Sequence, residues 1–292
     1  MPDMEVYIAD AFTNCPFSGN QAGVVLLGQA DFPRDTLMRA LAGELKHSET
    51  AFVRRTGERS FHVRFFTPVD EVDLCGHATV AAFTVLREAG GIETGAYTLQ
   101  ARAGNLEIGL GEDAVWMDMA RPQEGRRFNE AEQSRLYAAF GLEREDRREG
   151  LEAQAVSTGL MDILLPVKDR TTLGRAALNG EEVCRLSREF GVTGVHMFCL
   201  EGDKGVTARC RNFAPLYGIA EEAATGTSSG ALTYYLYRRD LVVPGEENRF
   251  IQGETMGKPS EILSRLEDTQ ETVRIQIGGQ AVLTMVCRLL AI

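Results

Sequence analysis

Glu49 lies in the run His47-Ser48-Glu49-Thr50-Ala51-Phe52-Val53, at the mouth of an apolar strand. A carboxylate in a dry cleft has a raised pKa and can take up and return a proton near neutrality. The plainer alternative is a solvated glutamate at a strand edge. His77 stands in Leu74-Cys75-Gly76-His77-Ala78-Thr79, at the start of a helix. The positive end of the helix dipole disfavours an imidazolium there, so a neutral, hydrogen-bonding ring is expected, or a simple cap. Cys75 precedes Gly76, and a thiol at a helix N-terminus can ionise more readily. A thiol racemase would want a second thiol on the matching loop, where Thr225 stands. Cys75 is therefore read as lining the site or as a small buried hydrophobe. Glu221-Glu222 precedes that second loop. A carboxylate pair near a cleft can bind an amine or relay protons, and for Glu221 the solvated acidic turn is the preferred reading.

The elements that must position these residues come in two similar sets. In the first, a strand at Glu5–Ala9 is followed by a loop, a buried strand at Gly23–Leu27 and a helix over Pro33–Lys46 with Asp31 as its cap. Strands at Thr50–Val53 and Phe61–Phe66 lead to a loop. A helix over Ala78–Glu88 is apolar nearly all round and so is expected to be buried. Three strands follow. The polar segment Arg121–Arg127 reads as a linker. The second set then runs through strands, helices and a loop over Phe213–Gly226 to another apolar helix, Thr227–Tyr237. Its entrance, Ala224-Thr225-Gly226-Thr227-Ser228-Ser229, matches the first loop in order though weakly in identity. Strands wrapped twice around a buried helix predict a two-lobed α+β protein with a cleft between its lobes, residues 1–120 and 121–292, the last strand being able to return to the first lobe. Each Gly loop opens a helix whose first N–H groups lack internal partners, which suits a substrate carboxylate. Ordinary helix entries satisfied by water are the alternative, and two matching loops weigh against it.

Composition bounds the rest. The 292 residues suit one large domain or two of ordinary size. No apolar run is long enough to span a bilayer. The start is acidic and enters a strand at once, unlike a signal peptide, so a cytoplasmic protein is expected. A net charge of −11 disfavours nucleic acid and anionic membranes as partners. Six cysteines form no CxxC pair and only four histidines occur, which speaks against a zinc site and for reduced thiols. No GxGxxG follows a strand, which disfavours an NAD-type dehydrogenase.

Taken in order, several segments resemble the PhzF family of phenazine-biosynthesis-like isomerases. They include Ala9-Asp10-Ala11-Phe12-Thr13, Gly19-Asn20-Gln21-Ala22-Gly23-Val24-Val25 and Ser48-Glu49-Thr50-Ala51-Phe52-Val53. Arg64-Phe65-Phe66-Thr67-Pro68 leads on to the loop Asp73–Thr79. Val156-Ser157-Thr158-Gly159, Phe213-Ala214-Pro215, Glu222-Ala223-Ala224-Thr225-Gly226-Thr227 and Gln252-Gly253 follow. The resemblance covers essentially the whole chain. It implies the diaminopimelate-epimerase-like fold, two pseudo-symmetric lobes each with a barrel-like sheet around a central helix, commonly as a homodimer. It implies no cofactor and no metal. Glu49 would be the acid/base that shifts a proton on a small carboxylate-bearing substrate, with His77 across the site and Glu222 as a further catalytic acid. Asn20, Cys75, Gly76, His77, Thr225, Gly226 and Thr227 would bind that substrate. Where the family's phenazine enzyme has Asp-Pro-Ala-Thr-Gly-Ser, this chain has Glu222–Thr227, with a longer acid, no Pro and Thr for Ser. That departure puts the phenazine substrate in doubt and leaves the reaction class. An amino-acid epimerase or racemase of the same fold, and a non-catalytic small-molecule binder, are the competing readings.

Overall fold

The computed structural model describes residues 4–89, 91–200, 204–269 and 272–289. Its contacts divide the chain into two units: unit 1 runs to Asp118 and resumes at Gly278, and unit 2 is Met119–Ile277. Among the described residues no helix is long and apolar enough to cross a membrane.

Unit 1 contains β1 (Met4–Ala11), β2 (Asn20–Gly28), α1 (Asp35–Leu45), β3 (Glu49–Arg55), β4 (Ser60–Phe66), β5 (Glu71–Val72), α2 (Gly76–Glu88), β6 (Gly95–Ala101), β7 (Gly104–Leu110) and β8 (Val115–Asp118). Unit 2 contains β9 (Gln123–Arg127), α3 (Glu130–Ala138), β10 (Gln154–Ser157), β11 (Met161–Pro166), α4 (Arg170–Arg175), α5 (Gly180–Phe190), β12 (Gly194–Cys199), β13 (Ala208–Ala214), β14 (Ile219–Glu222), α6 (Gly226–Tyr237), β15 (Glu247–Gln252) and β16 (Ser260–Thr269). The strand β17 (Thr272–Gly279) leads out of unit 2, and β18 (Ala281–Leu289) pairs antiparallel with β1.

The pairings repeat. In unit 1, β1–β2 is antiparallel, β2–β3 parallel, β3–β4 antiparallel, β4–β6 parallel and β6–β7 antiparallel. In unit 2, β10–β11, β11–β12, β12–β13, β13–β15 and β15–β16 follow the same alternation. A parallel step needs a crossover. In each unit helices supply both: α1 and α2 in the first, α4 with α5 and then α6 in the second.

Both buried helices follow from their sequences. Residues His77–Leu86 of α2 are all buried. The helix packs on β1, β2, β3, β8 and β18, while Phe83 meets Phe61 of β4 and Tyr97 of β6 at centroid distances of 5.8 and 5.9 Å. Strands on every side explain why no polar face was needed. Burying Val80, Phe83, Val85 and Leu86 stabilises the unit by roughly 1.5–3 kcal/mol each. In unit 2, α6 packs on β10, β11 and β16, with Tyr235 against Phe198 of β12 at 5.6 Å.

Some expectations need correction. Asp31 does not cap α1: the helix begins four residues later with Arg34 at its cap and no side-chain cap bond, and Asp31 pairs with Arg54 at 3.0 Å. The segment read as a linker carries β9, because its backbone pairs with β10, Arg127 opposite Gln154. The loop between β13 and α6 contains β14, paired to β13.

Candidate active site

The candidate site of unit 1 is assembled from the ends of three elements. Asn20 is the first residue of β2, Glu49 the first of β3, and Cys75 with His77 brackets the first residue of α2. Gly19 turns the chain into β2 with φ +66, and a Cβ there would lie 2.3 Å from the Ala11 carbonyl oxygen, so only glycine delivers Asn20 to this place. β2 and β3 run parallel with Ala22 opposite Glu49, which brings both strand starts to the same edge.

His77 is the hub. Its Nε2 lies 3.2 Å from Glu49 Oε2 and 3.2 Å from Ser48 Oγ. Its Nδ1 lies 3.3 Å from Asn20 Nδ2 and 3.4 Å from Cys75 Sγ. The His77 side chain is 5% exposed and that of Glu49 16%. Glu49 Oε2 is buried and meets no well-angled hydrogen-bond donor among the described residues, so its approach to His77 is one of charge. Ser48 was not among the residues singled out from the sequence, although its place beside Glu49 was signal enough.

The electrostatics differ from expectation. Burial, the largest influence on Glu49, pushes its carboxyl up, but the neighbouring His77 outweighs it, helped by the side chains of Ser48 and Cys75. The net shift is downward. The raised pKa expected for this glutamate is therefore corrected, because a partner came with the dry setting. Burial also presses His77 toward neutrality, yet Cys75 and Glu49 raise it well above its ordinary value. The shift runs opposite to the one expected from the helix dipole. Burial and the Glu49 charge push the Cys75 thiol up to about 11, so it keeps its proton at neutral pH. That leaves the Glu49 carboxylate as the group that holds the charge on His77.

The helix ends carry a common feature. Helices α3, α4 and α5 are capped by the side chains of Asn129, Asp169 and Asn179. At α2 and α6 the cap residues Cys75 and Thr225 make no such bond. The Thr79 hydroxyl donates back to the Cys75 carbonyl at 2.7 Å, as the Ser229 hydroxyl does to that of Thr225 at 2.9 Å. First-turn amides beside Gly76 and Gly226 are thus left without a side-chain cap, a setting that suits an anion.

In unit 2, Glu222, Thr225, Gly226 and Thr227 lie together at the head of α6. Thr225 Oγ1 donates to Glu222 Oε2 at 2.8 Å and accepts from Gln252 Nε2 at 3.1 Å, while the Thr227 carbonyl accepts from Thr158 Oγ1 at 2.8 Å. The Ser228 hydroxyl donates to the buried Asp162 carboxylate at 2.6 Å. Gln252 was missed in this role. Glu221 is not a solvated turn residue: it takes a two-pronged bond from Arg211, both at 2.8 Å. Arg64 grips Glu71 in the same manner at 2.8 and 2.6 Å, which pins the strand before each buried helix.

The register exposes one asymmetry. At the start of the parallel pair in unit 2, Asp162 lies opposite Gly194. Gly194 therefore heads β12 as Glu49 heads β3. A Cβ at Gly194 would come 2.1 Å from the Phe213 carbonyl oxygen, so no acid fits there. The arrangement supplies one largely buried carboxylate with an imidazole beside it, and its counterpart position is empty of side chain.

Glu49, Cys75 and His77 also offer one ligand atom each within 4.8 Å of one another, the group among the described residues that is compact enough to hold a metal ion. A shallow surface depression lined by Gln29, Arg54, Arg55, Thr56, Gly57 and Glu58 lies at the far end of β3 and holds none of these residues.

Comparison with known proteins gives a consistent picture. Residues 9–287 match the family model described as phenazine biosynthesis-like protein. An "uncharacterized isomerase" of Deinococcus radiodurans is 38% identical over 283 residues, covering 93% of this chain and 90% of that protein. A solved Bacillus anthracis phenazine biosynthesis protein of the PhzF family superposes with a TM-score of 0.90 at 30% identity, covering 100% of both chains. A hydroxyproline epimerase from Agrobacterium vitis shares the fold at a TM-score of 0.62 and 15% identity, covering 99% of this chain and 91% of its own.

Proposed function

The chain belongs to the phenazine biosynthesis-like protein family and is an isomerase, and from that premise we propose that it moves a proton on a small carboxylate-bearing metabolite, with Glu49 as the acid/base. The observation that carries this reading is the Glu49 carboxylate itself: largely buried, held below its ordinary pKa by His77, and with a buried Oε2 free of a well-angled donor. An ionised carboxylate can take a carbon-bound proton, and once protonated it can return that proton to the carbon where the double bond ended or to the one it left. Atoms and electrons balance without a co-reactant. The His77 ring favours the carboxylate before transfer and offers a donor to charge developing on the substrate.

The amides at Gly76, with Asn20 beside them, form a donor set for the substrate carboxylate in unit 1. Those at Gly226, with Thr225 and Thr227, are of the same kind in unit 2, and Glu222 is the acid next to them. Substitution of Thr227 with a rise in KM and unchanged kcat would mark those donors as used in binding.

The test is a screen of small carboxylates for new isomers by chromatography. Glu49→Gln is expected to lower turnover by roughly 10²–10⁴-fold while the fold is kept. A thiol epimerase would instead lose activity in Cys75→Ser. That reading is disfavoured by a thiol that keeps its proton and by Thr225 at the matching cap. A binder without turnover would show ligand affinity that survives Glu49→Gln and no product from any sample.

A further inference from the structure

We propose that Gln252 is a positioning residue: acting through the Thr225 hydroxyl, it fixes the direction of the Glu222 carboxylate at the head of α6. Gln252 is the last residue of β15 and is 0% exposed, whereas Thr225 and Glu222 are half-buried. A substrate does not reach a side chain so enclosed. Its influence on the reaction therefore passes through its neighbours.

The hydrogen bonds run in one direction. Gln252 Nε2 donates to the Glu222 carbonyl oxygen at 2.7 Å and to Thr225 Oγ1 at 3.1 Å. A carbonyl only accepts, so the end of the amide that faces it is the NH₂ group. Both protons of that group are then committed. Thr225 Oγ1 accepts one of them and sends its own single proton to Glu222 Oε2 at 2.8 Å. A hydroxyl so engaged has no proton left to give a substrate. Thr225 then serves as the link between a buried amide and an acid, and its hydroxyl is not a substrate donor. The donors that remain for a carboxylate at this helix end are the first-turn amides with Thr227.

The backbone sets the amide in place. Gly253 has φ +81, and a Cβ there would lie 2.7 Å from the Ala223 carbonyl oxygen and 2.3 Å from that of Lys258. Glycine thus lets the end of β15 press against the loop that carries Glu222. Unit 1 holds its matching loop by backbone alone, the Ala103 N–H donating to the Asp73 carbonyl at 3.1 Å. A backbone bond anchors a loop but orients no side chain. In unit 2 one amide does both. The effect on turnover rests on the place given to Glu222 beside the substrate; the hydrogen-bonded chain itself does not.

The test uses the full chain with glutamate labelled by ¹³C at its side-chain carboxyl, the Glu222 signal being identified by its loss in Glu222→Gln. Thr225→Val and Gln252→Met keep the side-chain size and remove the hydroxyl and the amide; Gln252→Leu stands in if circular dichroism shows Gln252→Met unfolded. Each single variant is expected to move the Glu222 signal, and the double variant to move it no further than Thr225→Val does. Thr225→Ser should leave it at the wild-type position. A Glu222 signal unmoved by a folded Gln252 variant overturns the proposal. With a carboxylate that the wild type isomerises, each single variant should lower kcat/KM by about ten- to a hundredfold, and the double by no more than the worse single. Losses that multiply would mean that Thr225 and Gln252 act separately, which also overturns it. Full turnover in Glu222→Gln, with a Glu222 signal that still answers to Gln252 in the chains that keep the acid, would refute the place given to Glu222 and uphold the chain of bonds.

Discussion

Asp162 offers a test of the packing that holds the head of α6. Its carboxyl is buried, 3% exposed, and burial pushes it up to about 6 from 3.8, against the smaller opposing effects of the Ser228 hydroxyl and the Gly194 amide. The folded state therefore holds this proton more tightly than the unfolded chain does. Stability from the neutral carboxyl is fully present below the unfolded pKa and is lost as pH rises through the folded one. The full difference of 2.2 units, 6 less 3.8, corresponds to about 3 kcal/mol. Between about pH 4.5 and pH 8 the part that develops is about 2 kcal/mol. Asp162→Asn keeps an acceptor for Ser228 and removes the titration, leaving an amide donor that costs about 1–3 kcal/mol if unpaired. Equilibrium urea unfolding of both proteins at the two pH values measures the difference. The variant is expected to be the less stable protein in acid and to gain on the wild type by about 2 kcal/mol at the higher pH. A gap between the two that does not change with pH would refute the account of Asp162.

Three further outcomes are expected. Arg211→Met leaves Glu221 with the Thr255 hydroxyl but without its cationic partner and strips bonds to the Leu173 and Ala176 carbonyls, at a cost of about 3–5 kcal/mol in chemical denaturation. Gly194→Ala drives a Cβ to 2.1 Å from a paired strand's carbonyl oxygen and should cost about 3 kcal/mol or more by the same measurement; a wild-type midpoint would show that β12 and β13 can part. His77→Asn removes the influence that holds the Glu49 carboxyl down and leaves burial to push it up, so the acid limb of kcat/KM should move to higher pH; an unmoved limb would mean the two residues do not share charge.

Much of this arrangement was legible in the residues. The apolar helices α2 and α6 announced themselves by lacking a polar face, and the Gly76 and Gly226 loops by their shared place ahead of them. Glu49, Cys75 and His77 were readable as a set, as was the repeat of strand and helix order. Less legible were elements whose buried faces are polar. In β16 the inward positions include Ser260 and Ser264, with Ser264 bonded to Thr233 of α6, so the alternation of apolar residues is broken. A second repeat signal went unread: Arg64-Phe65-Phe66-Thr67-Pro68 and Arg211-Asn212-Phe213-Ala214-Pro215 share Arg, Phe and Pro at matching places, and Glu71 and Glu221 stand at equal distance from Gly76 and Gly226. That pattern would have withdrawn Glu221 from the solvated residues. The sign of the Glu49 shift could not be read from its own surroundings in sequence, because it is decided by His77, which only the fold brings to 3.2 Å.

The central claim is that one carboxylate carries the proton. Its most direct test is uptake of deuterium from heavy water into a pool of small carboxylates, followed by mass spectrometry with the wild-type chain, Glu49→Gln and Cys75→Ser side by side. Mass gain with the wild type and with Cys75→Ser, and none with a folded Glu49→Gln, is the expected result. Uptake by Glu49→Gln at the wild-type rate would contradict it and move the proton to another group.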